Sequence, residues 1–197
     1  TKADGTKFGK SEGGAIWLNP EMLSPYGFYQ FWLQVDDADV VRFLKVFTFL
    51  ERKEIERLEA ATAENPKARE AQRVLAHEVT TWVHGADATA QAEAATSALW
   101  GRGDLADIDE ATILAATSDL ASSDVAVGET TIVDLLVGTG LERGRNAARK
   151  TIAGGGAYLN NVKVADETVV IGPEHLLAGG VVLVRKGRRN LAVGRTV

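Results

Sequence analysis

Apolar and polar positions alternate along this chain with two different rhythms. Residues 1–35 show no sustained period, because Gly5, Gly9, Gly13, Gly14, Pro20, Pro25 and Gly27 interrupt it. Ala15–Leu18 suits a short strand or turn, and Ser24-Pro25 opens a helix carrying Tyr26, Phe28, Tyr29, Phe31 and Trp32. So many aromatics this close together predict a packed core. From Asp36 the spacing becomes three-to-four: Val40, Phe43, Leu44, Phe47 and Leu50 define one helix, and residues 51–61 a second. Asn65-Pro66 reads as a cap followed by proline at the first helical position, starting a third helix with Ala71, Val74, Leu75, Val79 and Trp82 that stops at Gly85. A fourth runs from Asp87 to Trp100, where Gly101 and Gly103 end it. Short connections between four helices predict an α-helical bundle over residues 36–100.

Beyond residue 100 the rhythm changes. Ile108–Ala116 suits one more helix, and Ser118–Glu129 reads as a linker. Ile132–Val137 and Arg145–Ala153 predict two helices. Short apolar runs then follow at Ala157–Leu159, Val162–Val164, Val181–Val184 and Leu191–Val193, with Asn160-Asn161 as turn chemistry and a K-G-R-R sequence between the last two. The expected fold class is mainly α, then α+β: a helical bundle followed by a small module of two helices and a short twisted sheet.

Composition adds limits. The chain has 197 residues, 45% of them apolar and 25% charged, which excludes a disordered or collagen-like class. It contains no cysteine, so disulfides and thiolate metal sites are excluded and a reducing, cytoplasmic setting is expected. No apolar run is long enough to span a bilayer, and no membrane partner is expected. The first residue is Thr and the first eleven are polar and glycine-containing, so the chain is expected to be a piece of a longer protein. The net charge of -5 divides unequally: residues 1–130 carry 12 Lys/Arg against 22 Asp/Glu, residues 131–197 carry 10 against 5. A basic C-terminal piece on an acidic body points to a polyanionic partner.

Two motifs carry candidate chemistry. In Lys7-Phe8-Gly9-Lys10-Ser11, two ammonium groups three residues apart can converge on phosphate oxygens, Gly9 lets the loop bend, and Ser11 adds a hydroxyl. Residues 1–18 with this loop, then S-P-Y-G-F-Y-Q-F-W-L and D-A-D-V-V-R-F-L-K-V-F-T-F-L, closely resemble bacterial tyrosyl-tRNA synthetases, and the resemblance continues to Val197. The loop matches that family's form of the Lys-Met-Ser-Lys-Ser signature. The resemblance implies that Lys7 and Lys10 stabilise charge developing on pyrophosphate as tyrosine attacks ATP, with Lys10 contacting ATP and Ser11 assisting. It also implies ATP with Mg2+ as cofactors of the intact enzyme, with none held stably by this chain alone. The partner signature His-x-Gly-His does not occur here. The chain alone is therefore expected to be inactive, with L-tyrosine and ATP reached through an absent N-terminal half.

The second motif is basic. Arg145 and Arg149 share a helical face, Lys150 adjoins them, and Lys163 follows on a strand. Arg185, Lys186, Arg188 and Arg189 lie at an expected hairpin tip. Such clusters suit phosphate backbones, and the scarcity of stacking aromatics, with only Tyr158 nearby, favours recognition by shape. The pattern resembles the α-L RNA-binding domain, with Gly144 replacing the usual serine or threonine. By resemblance the partner is tyrosine tRNA, gripped at the elbow and variable arm. Residues 1–35 then end the catalytic domain with its signature loop, 36–117 form an anticodon-binding helical domain, 118–130 a linker and 131–197 the α-L domain. Arg42, Lys45, Arg52 and Lys53 are weaker RNA candidates. The intact enzyme is expected as a homodimer whose contacts lie mostly outside this chain, leaving a monomer open. No metal site is expected: His77 and His84 share a helix but have no supporting ligands and read as surface histidines. The rival readings are a stand-alone α-L-type RNA-binding protein and an RNA-modification enzyme.

Overall fold

The structure, a computed structural model, describes residues 16–100 and 103–197. The chain divides into two compact units, residues 1–93 and 94–197.

The first unit is helical. It contains α1 (Pro25–Leu33), α2 (Asp37–Phe47), α3 (Arg52–Glu64) and α4 (Glu70–His84), and α5 (Ala86–Leu99) begins in it. Ser24 caps α1 by accepting a hydrogen bond from the Gly27 amide, and Pro25 takes the first helical position, where a missing N–H costs nothing. Gly85, at φ 89°, ends α4. The core is aromatic: Trp32 meets Phe47 and Phe43 edge-on at centroid distances of 5.1 and 6.2 Å, and Phe28 at 6.1 Å. Around these rings Leu44, Leu58, Leu75 and Val40 are fully enclosed. Such edge-to-face pairs add about 0.5–1.5 kcal/mol each beyond area burial.

The start of the third predicted helix differs from expectation. Pro66–Ala68 forms a separate 3-10 turn, Arg69 adopts a left-handed conformation at φ 49°, and α4 begins only at Glu70. A positive φ is costly for an arginine. The offset comes from its side chain, whose Nη2 donates to the carbonyls of Leu33 at 2.7 Å and Val35 at 3.0 Å, satisfying the end of α1. Ile16–Leu18 form no strand.

The second unit contains α6 (Glu110–Thr117), β1 (Ser122–Val125), α7 (Ile132–Gly138), α8 (Arg145–Ala153), β2 (Ala157–Leu159), β3 (Val162–Val164), β4 (Val181–Lys186) and β5 (Asn190–Thr196). The sheet order is β1-β5-β4-β2-β3, with β1–β5 parallel and the other pairs antiparallel. Thr131 and Asp134 build a reciprocal capping box at the start of α7. Asn160 and Asn161 both have positive φ, 45° and 66°, as a two-residue turn between β2 and β3 requires. One core gathers Leu135, Leu136, Ala148 and Ile152 with Leu159, Val182, Val184 and Ala192. Gly194 lies inside it: a Cβ there would meet Val125 Cγ2 at 2.6 Å and Val182 Cγ1 at 2.7 Å.

The fold class is therefore mainly α, then α+β. The expected linker at 118–130 contains β1, which pairs Ser122 with Val193 and Val125 with Thr196. Its sequence S-S-D-V has a single buried apolar residue, Val125, and is held by backbone pairing rather than by an apolar stripe.

Candidate nucleic-acid interface

The basic residues of the second unit are brought together by three local devices. First, α8 exposes Arg145, Arg149 and Lys150 while burying Ala148 and Ile152. It ends at Gly154 and Gly155, where Gly155 (φ 69°) and Gly156 donate their amides back to Ile152 and Thr151. Second, the Lys163 ammonium lies against this helix end. A Cβ on Gly155 would be 2.3 Å from Lys163 Nζ, so glycine there leaves the lysine its place beside the negative pole of the helix. Third, the Gly187 amide donates to the Gly156 carbonyl at 2.7 Å, which ties the β4–β5 turn to the same glycine loop. Arg188 and Arg189 occupy that turn and are exposed.

Not all of these cations are free. Arg145 pairs with Asp134, and Arg149 lies 3.5 Å from Glu167. The Asp134 carboxyl is held below its ordinary value by the Thr131 hydroxyl first and by Arg145 as well. Lys186 donates to Glu142 at 3.0 Å, and this carboxylate is only 6% exposed. Glu142 also accepts a hydrogen bond from the Thr151 hydroxyl; that bond, and then Lys186, keep its carboxyl below the usual range. Lys186 is thus committed to a buried partner.

Arg185 departs further from expectation. It is the next-to-last residue of β4, 8% exposed, and not at a hairpin tip. Its guanidinium stacks 5.0 Å from the Tyr158 ring centroid. Register places Lys163, Tyr158 and Arg185 side by side across β3, β2 and β4. The period of two could have shown this: Arg185 continues the buried row of Val181 and Leu183. Among the described residues Arg143, Lys150, Lys163, Arg188 and Arg189 have no carboxylate partner. Sequence reasoning missed Arg143, which is exposed two residues before α8.

In the first unit the weaker candidates are mostly occupied. Arg42 pairs with Asp39 at 2.8 Å and Arg52 with Glu56 at 2.6 Å, while Lys45 and Lys53 are exposed. His77 sits 2.9 Å from Glu93. His84 is no surface histidine: its ring packs edge-on against Phe28 at 4.8 Å, its Nε2 is enclosed without a hydrogen-bond partner, and burial pushes its pKa down. Among the described residues no group of His, Asp and Glu could hold a metal, and no helix is long and apolar enough to cross a membrane. Lys7, Lys10 and Ser11 lie outside the described residues.

Known proteins resemble the chain over almost its full length. The family model "tRNA synthetases class I (W and Y)" matches residues 1–101. The chain belongs to the class I tRNA synthetases. A second model, "Tyrosine--tRNA ligase SYY-like C-terminal domain", matches residues 112–193 of this synthetase chain. Over 192 residues the chain is 55% identical to a protein named Tyrosine--tRNA ligase from Streptomyces avermitilis, covering 98% of this chain and 45% of that protein. The namesake from Nocardia farcinica is 53% identical over 198 residues, covering 98% of this chain and 46% of its own length. The synthetase chain thus spans somewhat under half the length of the curated relatives it matches.

Proposed function

We propose that this chain is the C-terminal-side part of a tyrosine–tRNA ligase and that residues 131–197 hold tyrosine tRNA by its phosphates. The observation that carries the reading is the set of cations without carboxylate partners, Arg143, Lys150, Lys163, Arg188 and Arg189, around α8 and the hairpin tied to its end. Arg145 and Arg149 join them with half-exposed acidic partners that a phosphate can displace, and Arg185 buttresses Tyr158 from within the sheet. In this reading residues 36–117 form the helical anticodon side and 131–197 the α-L domain. Lys7, Lys10 and Ser11 serve ATP with Mg2+ during tyrosine activation in a longer, homodimeric, cytoplasmic enzyme. A match reaching from residue 1 through the helical region argues against a stand-alone RNA-binding protein.

Binding of the 197-residue chain to tyrosine tRNA and to a tRNA with a short variable arm tests the RNA reading. Tyrosine tRNA is expected to bind more tightly, and equal affinity at physiological salt overturns the proposal. In the full-length protein, Lys10→Ala is expected to slow tyrosyl-adenylate formation with tyrosine binding retained; an unchanged adenylate rate removes the catalytic assignment.

A further inference from the structure

The helical unit is polarised along its length. At one end, where α1 finishes and α4 begins, polar groups pair with one another: Arg69 holds the carbonyls of Leu33 and Val35, and Gln72 donates to Asp37 at 2.6 Å, with its own Oε1 left unpartnered. Among the described residues no large apolar side chain is exposed there. The other end is open. Among the described residues of this unit, the exposed large apolar side chains are Trp17, Leu18, Met22, Val46, Phe49 and Trp82. Val46 is in the last turn of α2, Phe49 follows it, and Trp82 is in the last turn of α4.

Phe49 and Trp82 form an edge-to-face pair at 5.5 Å, yet remain 81% and 66% exposed. Their outward direction is built in. The Thr48 hydroxyl donates to the Leu44 carbonyl at 2.7 Å and accepts from the Leu50 amide at 3.4 Å, so Leu50 turns onto the core and Phe49 turns away from it. On α4, Val79 and Val83 face the core and Trp82 does not. The pair leaves most of both rings in water; contiguous exposed apolar groups of this kind mark an interface, and Lys45, Glu51 and Lys53, close to Phe49 in sequence, are exposed as well.

Two observations identify the occupant. The relatives are more than twice as long as the matched region, which forms the C-terminal side of them. The residues preceding α1 reach the helical unit at this same end, since Phe28 in the first turn of α1 packs on His84, two residues after Trp82. We propose that Val46, Phe49 and Trp82 are the seat of the polypeptide that the relatives carry on the N-terminal side of this region, a protein surface with an apolar slot for the two rings. The inference rests on family membership and is independent of the RNA reading.

Hydroxyl-radical footprinting read by mass spectrometry tests it, with the 197-residue chain compared to the polypeptide extended on its N-terminal side to the relatives' length. Without RNA, severalfold protection of Phe49 and Trp82 in the longer polypeptide is expected, with Val162 of the second unit labelled equally in both. Equal labelling of the rings overturns the proposal. Protection that appears only when tRNA is added also overturns it, and assigns the rings to RNA. In parallel, Phe49→Ser with Trp82→Ser is expected to lower the melting temperature of the longer polypeptide more than that of the 197-residue chain, which loses only the contact between the two rings; equal effects in both overturn the assignment.

Discussion

The two units use the same charged side chains to opposite ends. In the helical unit arginines close local circuits: Arg57 bridges Glu54 and Glu70, Arg52 meets Glu56, and Arg69 caps a helix through backbone carbonyls. In the second unit fewer of these circuits close. Glu142 takes Lys186, Asp134 takes Arg145 and Glu167 approaches Arg149, after which five cations around α8 and the β4–β5 turn have no carboxylate. The cores differ in parallel, aromatic in the first and aliphatic in the second. An arginine's identity therefore says little about its role; what decides is whether the fold has already supplied its counter-charge.

The cores are expected to fail in different ways. Trp32→Ala empties an aromatic cluster that touches three helices, and a cost of about 3–5 kcal/mol is expected in urea unfolding. Gly194→Ala fails by overfilling, because its Cβ would meet three core side chains at 2.6, 2.7 and 2.9 Å. That cost is expected at about 1–3 kcal/mol. A Gly194→Ala protein as stable as the parent would show that β5 can shift within the sheet, and the contrast between the two cores would narrow.

The charge contrast can be broken with a pair of variants. Lys186→Met removes the partner of a nearly buried carboxylate, so stability is expected to fall by about 1–2 kcal/mol, Lys186 itself being partly exposed. The salt dependence of tRNA binding should stay as it was, since this lysine is already neutralised. Arg188→Ala with Arg189→Ala should do the reverse: unchanged urea midpoint, and a log–log salt slope shallower by about 1.8, from about 0.9 per phosphate contact. A slope altered by Lys186→Met, or unaltered by the double variant, would exchange the two roles.

These differences also mark what the sequence made legible. Helices with an apolar stripe, such as α2, the Ser24-Pro25 start of α1 and the Asn160-Asn161 turn were readable because the information is local. So was the lysine- and arginine-rich character of residues 145–189. What escaped depends on partners far along the chain. Glu142 meets Lys186 only after the sheet has formed, and β1 is a strand because β5 offers backbone groups to Ser122–Val125, not because its own pattern asks for one. The left-handed Arg69 belongs to the same class, stabilised by carbonyls more than thirty residues earlier.

His84 gives the smallest effect and the most direct way to tell the two units apart by pH. It is a helical-unit residue with an enclosed, unpartnered Nε2 against Phe28, and burial lowers its pKa from the ordinary 6.5. The folded state therefore resists protonation, and the unfolded chain binds more protons below that value. The stability this residue contributes is complete above pH 6.5 and is lost as the pH falls from there through the lowered value. Melting curves between pH 7.5 and 5 should show the helical unit losing stability on acidification more steeply in the parent than in His84→Phe, which keeps an aromatic against Phe28 and cannot titrate. His175, the histidine of the second unit, has its Nδ1 satisfied by the Gly172 amide at 3.0 Å, so His175→Phe is a control that removes a hydrogen bond without removing a buried, unpartnered nitrogen. Parallel pH profiles for the parent and His84→Phe would mean that water reaches His84 Nε2 and that the aromatic end of the first unit is looser than its packing shows.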